Sequence, residues 1–201
     1  FGEYKSIFGK IGPAIYYLMF GITCSISNLI SCRDYILRGK KGKIISPSQL
    51  DSTWLRQPKN TEVRDIKLLY VGRFKVEKGI FSLIDLIKNK KDISISLVGA
   101  EKEVSHNFNQ SNVKIFQQQS NKLKLIKYYD DSNIFILPSF TEGHPMVLLE
   151  ALARRRPVII FEDIQHIIGD KKGIFVSKRN FVNLLGTFNY IKKNYKKIQN
   201  E

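Results

Sequence analysis

The chain has 201 residues, 43% of them hydrophobic, which fits one globular domain or one domain with part of another and excludes a disordered chain. Its two cysteines, Cys24 and Cys32, lack a metal-binding Cys-x-x-Cys spacing and indicate a reduced, cytoplasmic protein. The net charge of +15 admits nucleic acid, anionic membrane lipid or an anionic substrate as partner, although most lysines are expected simply to be solvated.

The first 60 residues are predicted to form a helix, a strand, a second helix, a second strand and a linker, at Ile7–Phe20, Ile22–Ser27, Asn28–Leu37, Lys43–Ser46 and Pro47–Asn60. Residues 11–32 carry no charge and are long enough to span a bilayer. Their glycine, proline, serine and threonine residues favour a helix–strand–helix passage in a folded domain instead. The chain starts at Phe1 and shows no signal peptide, so we expect a fragment whose N-terminal part is missing.

From residue 66 onward, apolar strand patterns alternate with amphipathic helix patterns. The predicted strands are Ile66–Val71, Ile93–Val98, Val113–Phe116, Asn133–Leu137, Val158–Phe161 and Gly173–Val176. The predicted helices are Glu77–Lys90, Leu123–Tyr129, Pro145–Arg154 and Phe181–Tyr195. This alternation predicts an α/β fold with a Rossmann-like, doubly wound parallel sheet that has helices on both faces.

Two carboxylates flank the start of a predicted helix that follows the fourth strand of this series. Glu142 lies in the turn after the strand, the helix opens at Pro145, and Glu150 follows along it. Helix N-termini attract phosphate, and ligands of α/β sheets gather at the carboxyl ends of the strands. The arrangement predicts a phosphorylated ligand whose hydroxyl groups are held by carboxylates.

The same stretch resembles the two-glutamate signature of family 4 retaining glycosyltransferases, which have the two-domain GT-B fold. That signature reads roughly Pro-Ser-x-x-Glu-Gly-x-x-x-x-x-x-Glu-Ala-x-Ala-x-Gly-x-Pro-Val. The matching residues here are Pro138, Ser139, Glu142, Gly143, Glu150, Ala151, Ala153, Pro157 and Val158. Arg155 stands where the family usually has glycine, and a left-handed backbone at that position would cost about 1 kcal/mol.

A second motif follows the first strand of the series. It runs from Gly72 to Gly79 as Gly-Arg-Phe-Lys-Val-Glu-Lys-Gly and resembles the Gly-Arg-x-x-x-x-Lys-Gly motif of the same family. Gly72 permits a sharp turn, and Arg73 and Lys78 are cations suited to a diphosphate. The two motifs stand at the spacing that the family shows.

The resemblance implies a catalytic group of Arg73, Lys78 and Glu142. The two cations would hold the diphosphate of a nucleotide sugar and stabilise its departure, and Glu142 would bind sugar hydroxyls without acting as nucleophile or general base. Glu150 would accept a hydrogen bond from the ribose. The remaining substrate-binding residues implied are Gly72, Gly143, His144, Pro145, Met146, Val147 and Leu148. Gln117 stands where a glycine beside the nucleobase is common, so the base is left open.

The family needs no metal for this chemistry, and we expect no cofactor beyond the nucleotide-diphosphate sugar that serves as donor substrate. The resemblance also implies that residues 1–60 are the end of an N-terminal acceptor domain with its linker and that residues 61–201 are the donor domain. A saccharide or lipid-linked acceptor would bind the missing N-terminal domain. The fragment alone is therefore expected to bind donor but to be inactive in transfer.

Two other functions are compatible with the sequence. A nucleotide-sugar epimerase can share the GT-B fold, and the charge alone would suit a nucleic-acid-binding module. The chain lacks a recognition-helix pattern and a basic strand with interleaved aromatic residues, so nucleic acid is not the expected partner. The basic clusters leave peripheral contact with an anionic membrane, at the inner face of the plasma membrane, as a further hypothesis.

Overall fold

The computed structural model describes residues 9–31, 39–45, 48–59, 62–101, 110–169 and 171–200. The chain divides into two compact units, with the break between Pro47 and Ser48. This division lies earlier than the predicted boundary at residue 60, because residues 48–59 pack with the second unit.

In its described residues, the first unit contains a 3₁₀ turn at Gly9–Ile11, helix α1 at Gly12–Ile26, and two parallel strands, β1 at Leu29–Ser31 and β2 at Gly42–Ile44. The predicted strand at residues 22–27 is wrong, since α1 continues through it. Thr23 and Ser25 donate their hydroxyls to the carbonyls of Met19 and Gly21 at 2.9 and 3.0 Å, which satisfies both groups within the helix. The helix predicted at Asn28–Leu37 is wrong at its start, where Leu29–Ser31 form β1, and its residues 32–37 lie outside the described residues.

None of the helices in the described ranges is long and apolar enough to cross a membrane. Helix α1 covers most of the uncharged stretch with only 15 residues.

The part of the second unit that the structure describes contains a short helix, α2 at Ser52–Leu55, followed by six strands and four longer helices. The strands are β3 at Ile66–Val71, β4 at Ile93–Ala100, β5 at Val113–Gln117, β6 at Ile134–Leu137, β7 at Val158–Phe161 and β8 at Ile174–Ser177. The helices are α3 at Ile80–Ile87, α4 at Lys122–Asp131, α5 at Met146–Ala153 and α6 at Phe181–Asn200. Two 3₁₀ segments occur at Val76–Lys78 and Glu162–Ile167.

All six strands are parallel, in the order β5-β4-β3-β6-β7-β8. The predicted doubly wound α/β sheet is confirmed. From β3 the chain first runs outward through β4 and β5 and then crosses back to β6 on the other side of β3. The loops that leave β3 and β6 thus diverge at the carboxyl edge, where such sheets hold their ligands.

Buried guanidinium groups bind residues 48–59 to the rest of the second unit. Arg154, 2% exposed, binds Asp130 with two hydrogen bonds of 2.9 and 2.8 Å. Its remaining donors reach the carbonyl oxygens of Trp54, Arg56 and Gln57. Arg154 thus holds a chain segment about 100 residues away in the sequence.

Arg156 is fully buried and likewise binds both the segment 48–59 and the rest of the second unit. It donates to the carbonyls of Tyr129 and Lys59 at 2.8 and 2.6 Å, and its guanidinium lies 3.7 Å from Asp130. Trp54 is 3% exposed and packs edge-on against Tyr129 within the core of the second unit. The segment predicted as a linker is therefore part of this unit.

Arg155, between these two residues, is exposed and has a φ of +55°. The amide of Arg155 donates to the carbonyl of Leu152 at 2.9 Å, which closes the end of α5. A left-handed residue after a helix is usually glycine, so the arginine here carries a strain of about 1 kcal/mol.

Candidate functional site

The first predicted motif lies at the carboxyl end of β3. Gly72 donates to the carbonyl of Val98 at 2.9 Å, and the Tyr70 hydroxyl donates to the carbonyl of Arg73 at 2.9 Å. Burial raises the pKa of Tyr70, so its hydroxyl keeps its proton and remains a donor. A Cβ at Gly99 would lie 2.2 Å from the Gly72 carbonyl oxygen. The backbone from which the Arg73 side chain extends is thus held on two sides.

The second motif lies at the carboxyl end of β6 and meets the first. The Lys78 ammonium donates to Glu142 Oε1 at 2.7 Å across 64 residues of sequence. The Ser139 hydroxyl donates to the same oxygen at 2.7 Å. The Phe140 amide donates to the carbonyl of Glu77 at 2.9 Å, so the two loops are also joined through their backbones. Two residues that the sequence predicted as parts of one site are therefore in direct contact.

A further contact to Glu142 was not predicted from the sequence. The His166 ring lies with its Nε2 atom 3.0 Å from the carbonyl oxygen of Glu142. His166 sits in the 3₁₀ segment after β7, the neighbour of β6 in the sheet. The site loop is thus supported by elements on both sides.

Helix α5 begins at Met146, one residue later than predicted, and Pro145 is the residue that precedes it. Gly143 is exposed, whereas His144, Pro145, Met146 and Val147 are half-buried. Leu148 is 2% exposed, and its amide donates to the carbonyl of Pro145 at 3.3 Å. Leu148 therefore packs in the core. The first amides of α5, like those of any helix, have no acceptor within their own helix and can face an anion.

Glu150 lies one turn further along α5 and is buried, at 9% exposure. The Tyr129 hydroxyl donates to Glu150 Oε2 at 2.8 Å. Burial raises the pKa of Glu150, while the hydrogen bond from Tyr129 opposes this shift. The Tyr129 ring is itself held between Trp54 and Phe135, with ring centroids 5.6 Å from each. Tyr129 was missed in the sequence because nothing local distinguishes it from a core residue of α4.

Tyr129→Phe is expected to raise the pKa of Glu150 further, because it removes a donor that stabilises the carboxylate. A carboxyl group whose pKa is raised by folding contributes stability that is fully present below its unfolded pKa and is lost as pH rises through its folded pKa. Loss of the hydroxyl should move this fall in stability to higher pH. Carbon-13 NMR titration of the Glu150 carboxyl measures the shift, with Tyr128→Phe as the matched control. An unchanged Glu150 titration in Tyr129→Phe would contradict the role given to the hydroxyl.

A cavity of about 190 Å³ opens beside the first motif, at the carboxyl ends of β3 and β4 and the loop after β5. It is lined by Val71, Gly72, Arg73, Val98, Gly99, Gln118, Gln119 and Leu125. The sequence pointed to Gln117 at this position, but Gln117 ends β5 as the register partner of Ala100. The two glutamines that follow it line the cavity instead. Their position directly after a strand, at the carboxyl edge of the sheet, is the sequence feature from which they could have been predicted.

The sequence model of the family described as "Glycosyl transferases group 1" matches residues 51–200. The teichuronic acid biosynthesis glycosyltransferase TuaC of Bacillus subtilis is 35% identical over 91 residues, which are 45% of this chain and 23% of that protein. The capsular polysaccharide biosynthesis glycosyltransferase CapM of Staphylococcus aureus is 26% identical over 147 residues, which are 66% of this chain and 38% of that protein. The chain thus spans less than half the length of these relatives.

Several solved structures share the fold. HepE of Anabaena, determined in complex with UDP and glucose, matches with a TM-score of 0.65 at 15% identity, over 89% of this chain and 57% of that chain. The lipopolysaccharide outer core galactosyltransferase WaaB matches with a TM-score of 0.62 at 17% identity, over 84% and 53%. Because the family model covers most of the second unit, including both motifs and the buried arginines, this chain belongs to the group 1 glycosyltransferase family.

Proposed function

We propose that this chain supplies the donor-binding half of a retaining, metal-independent glycosyltransferase of family 4 with the GT-B fold. The full enzyme would move a sugar from a nucleoside diphosphate to a saccharide or lipid-linked acceptor. The observation that carries the proposal is the contact between Lys78 and Glu142, which joins a cation for the diphosphate to an acceptor for sugar hydroxyls at the switch point of the sheet.

In this mechanism Arg73 and Lys78 hold the diphosphate and the first amides of α5 face it. Glu142 accepts hydrogen bonds from the sugar, Glu150 accepts one from the ribose, and the base occupies the cavity beside Gln118 and Gln119. The bond between the anomeric carbon and the diphosphate oxygen breaks, and its electron pair leaves with the phosphate. The acceptor hydroxyl attacks from the same face and passes its proton to that departing oxygen. The cations stabilise the charge that develops, which is the electrostatic help such a step requires.

Lys78→Met is expected to weaken donor binding about 10- to 100-fold, because a charge-assisted hydrogen bond to the diphosphate is lost. Calorimetry with UDP-glucose, GDP-mannose and ADP-glucose would first find the donor and then compare the variants. Arg73→Ala should give a loss of the same order, and Lys127→Met, on the exposed side of α4, should leave affinity unchanged. A folded chain that binds none of the three, or binds them equally well after both site substitutions, would contradict the proposal.

The same experiments separate the alternatives. Conversion of the donor without acceptor would favour a nucleotide-sugar epimerase. We further infer that residues 1–47 are the end of an acceptor domain, since α1 and its neighbours expose large apolar side chains, among them Ile11, Tyr17, Leu18, Met19, Ile22 and Ile26. The two short parallel strands in the described part of residues 1–47 are also too few for an independent sheet. Transfer of sugar by this chain alone would contradict that assignment.

We also infer a peripheral contact with anionic membrane lipid through the second half of α6. Tyr195 and Gln199 donate to the carbonyls of Asn133 and Arg155, which precede β6 and β7, so this half lies at the amino edge of the sheet. Four lysines are exposed there, at positions 192, 193, 196 and 197. They therefore lie at the opposite edge from the donor site.

Substitution of these four lysines by glutamine should abolish sedimentation with vesicles that contain phosphatidylglycerol at low salt. Juxtamembrane lysines contribute about 1 kcal/mol each to binding of such surfaces, and the contribution weakens as salt is added. Donor affinity, measured in parallel, should not change. Equal sedimentation with purely zwitterionic vesicles, or tighter salt-sensitive binding to nucleic acid, would refute the membrane assignment.

A further inference from the structure

Arg179 lies outside both motifs, yet its side chain reaches the loop that carries Glu142. It stands two residues after the end of β8, and its side chain is 18% exposed. One guanidinium nitrogen donates to the carbonyl of Pro138 at 2.9 Å, and another donates to the carbonyl of Ser139 at 3.3 Å. The side chain therefore crosses the end of β7 to reach the end of β6.

The guanidinium is also held between two aromatic rings. Its central carbon lies 4.0 Å from the ring centroid of Phe140 and 4.3 Å from that of Phe161. The guanidinium nitrogen that donates to Ser139 also donates to the Asp163 carboxylate at 2.7 Å. A planar fork can donate to adjacent carbonyls while its faces stack on rings, whereas the compact ammonium of lysine cannot do both.

The two carbonyls that Arg179 binds belong to the joint between the motifs. Ser139 places its hydroxyl on Glu142 Oε1, and the Pro138 carbonyl packs against Gly79, the residue after Lys78. A Cβ at Gly79 would lie 2.0 Å from the Pro138 oxygen and 3.2 Å from Arg179. The atoms that Arg179 contacts thus adjoin both residues of the pair, because Ser139 binds Glu142 directly and Gly79 follows Lys78 in the sequence.

We propose that Arg179 is a positioning residue for the donor sugar, which fixes the Pro138–Glu142 loop so that Glu142 is presented to the sugar hydroxyls. This inference rests on the proposed function of the site. It assigns a role to a residue that neither motif contains. Its contact with Asp163 is secondary, because the Asp163 side chain is 37% exposed and ion pairs so accessible to water contribute little.

Hydrogen exchange of the free chain tests the positioning without any ligand. Arg179→Met should accelerate exchange of the Phe140 amide about tenfold, the effect of losing one charge-assisted hydrogen bond, while the amides of β4 stay protected. Arg179→Lys should behave like Arg179→Met, and Asp163→Asn should resemble the unchanged chain. Uniform acceleration across the sheet, no acceleration in the loop, or an equal effect of Asp163→Asn would overturn the proposal.

Calorimetry then separates this inference from the proposed function. With UDP-glucose, GDP-mannose and ADP-glucose compared against UDP, GDP and ADP, Arg179→Met should weaken binding of the sugar-bearing donor about tenfold and change binding of the matching diphosphate less than about twofold. Equal losses for both would mean that Arg179 does not act through the sugar contact. Absence of any donor binding would contradict the proposed function. Hydrogen exchange in the Pro138–Glu142 loop would still show whether Arg179 fixes that loop.

Discussion

Replacing Asp130 by asparagine should lower the free energy of unfolding by about 3–5 kcal/mol. Asp130 is the carboxylate that Arg154 binds with two hydrogen bonds and that lies 3.7 Å from Arg156. The guanidinium groups are 2% and 0% exposed, so they cannot turn to water when the negative charge is removed. Breaking a buried ion pair from one side leaves an uncompensated charge, which costs more than the pair itself contributes.

Urea denaturation followed by circular dichroism measures the loss. Asp131→Asn is the matched control, since it makes the same substitution at the neighbouring exposed position of α4 and should change stability by less than about 0.5 kcal/mol. Similar losses of unfolding free energy in the two variants would show that the buried Asp130 contributes no more to stability than the exposed Asp131. Since small domains are stable by only about 5–15 kcal/mol, Asp130→Asn should also reduce the yield of folded protein.

Gly79→Ala is the second change for which a large effect is expected, about 2–5 kcal/mol. The residue has a φ of +65°, and a Cβ there would lie 2.0 Å from the backbone oxygen of Pro138. The left-handed backbone costs a non-glycine residue about 1–2 kcal/mol, and forcing the Pro138 carbonyl away adds a packing penalty of about 1–3 kcal/mol. Since that carbonyl begins the Glu142 loop, donor binding should fall as well.

Gly186→Ala provides the control in the same chain. Gly186 lies within α6, and a Cβ there would meet no atom within 4 Å. Alanine should therefore stabilise the helix by about 0.5–1 kcal/mol, an effect of opposite sign. If thermal or urea unfolding shows Gly79→Ala to be as stable as the unchanged chain, the loop after β6 must be free to move and the tight joint described above is wrong.

The sheet was predictable because its strands and helices alternate with strong local patterns. Apolar runs such as Ile134–Leu137 are buried on both faces of a parallel sheet, and their composition shows it directly. The first unit was harder, since Ile22–Ser27 was predicted to be a strand although the helix that forms there satisfies the hydroxyls of Thr23 and Ser25. Propensity is a weak guide where tertiary context decides.

For the candidate site, the sequence named Lys78 and Glu142 but did not predict the contact between them. Lys78 and Glu142 were both expected there, yet only the folded sheet brings them within 2.7 Å. Tyr129 and Arg179 act through partners 21 and about 40 residues away in the sequence, and such contacts leave no local pattern. The roles of Arg154 and Arg156 were missed for the same reason.

The contact between Lys78 and Glu142 has a consequence for how donor affinity depends on salt. A diphosphate that enters this site meets an ammonium group already balanced by a carboxylate, with side chains only 20% and 10% exposed. Charges so shielded from water are screened little by mobile ions. Binding at Lys78 is then an exchange of one anionic partner for another, and few counterions are released by it. Despite a net charge of +15, affinity for a nucleotide sugar should decline with ionic strength mainly through the exposed Arg73.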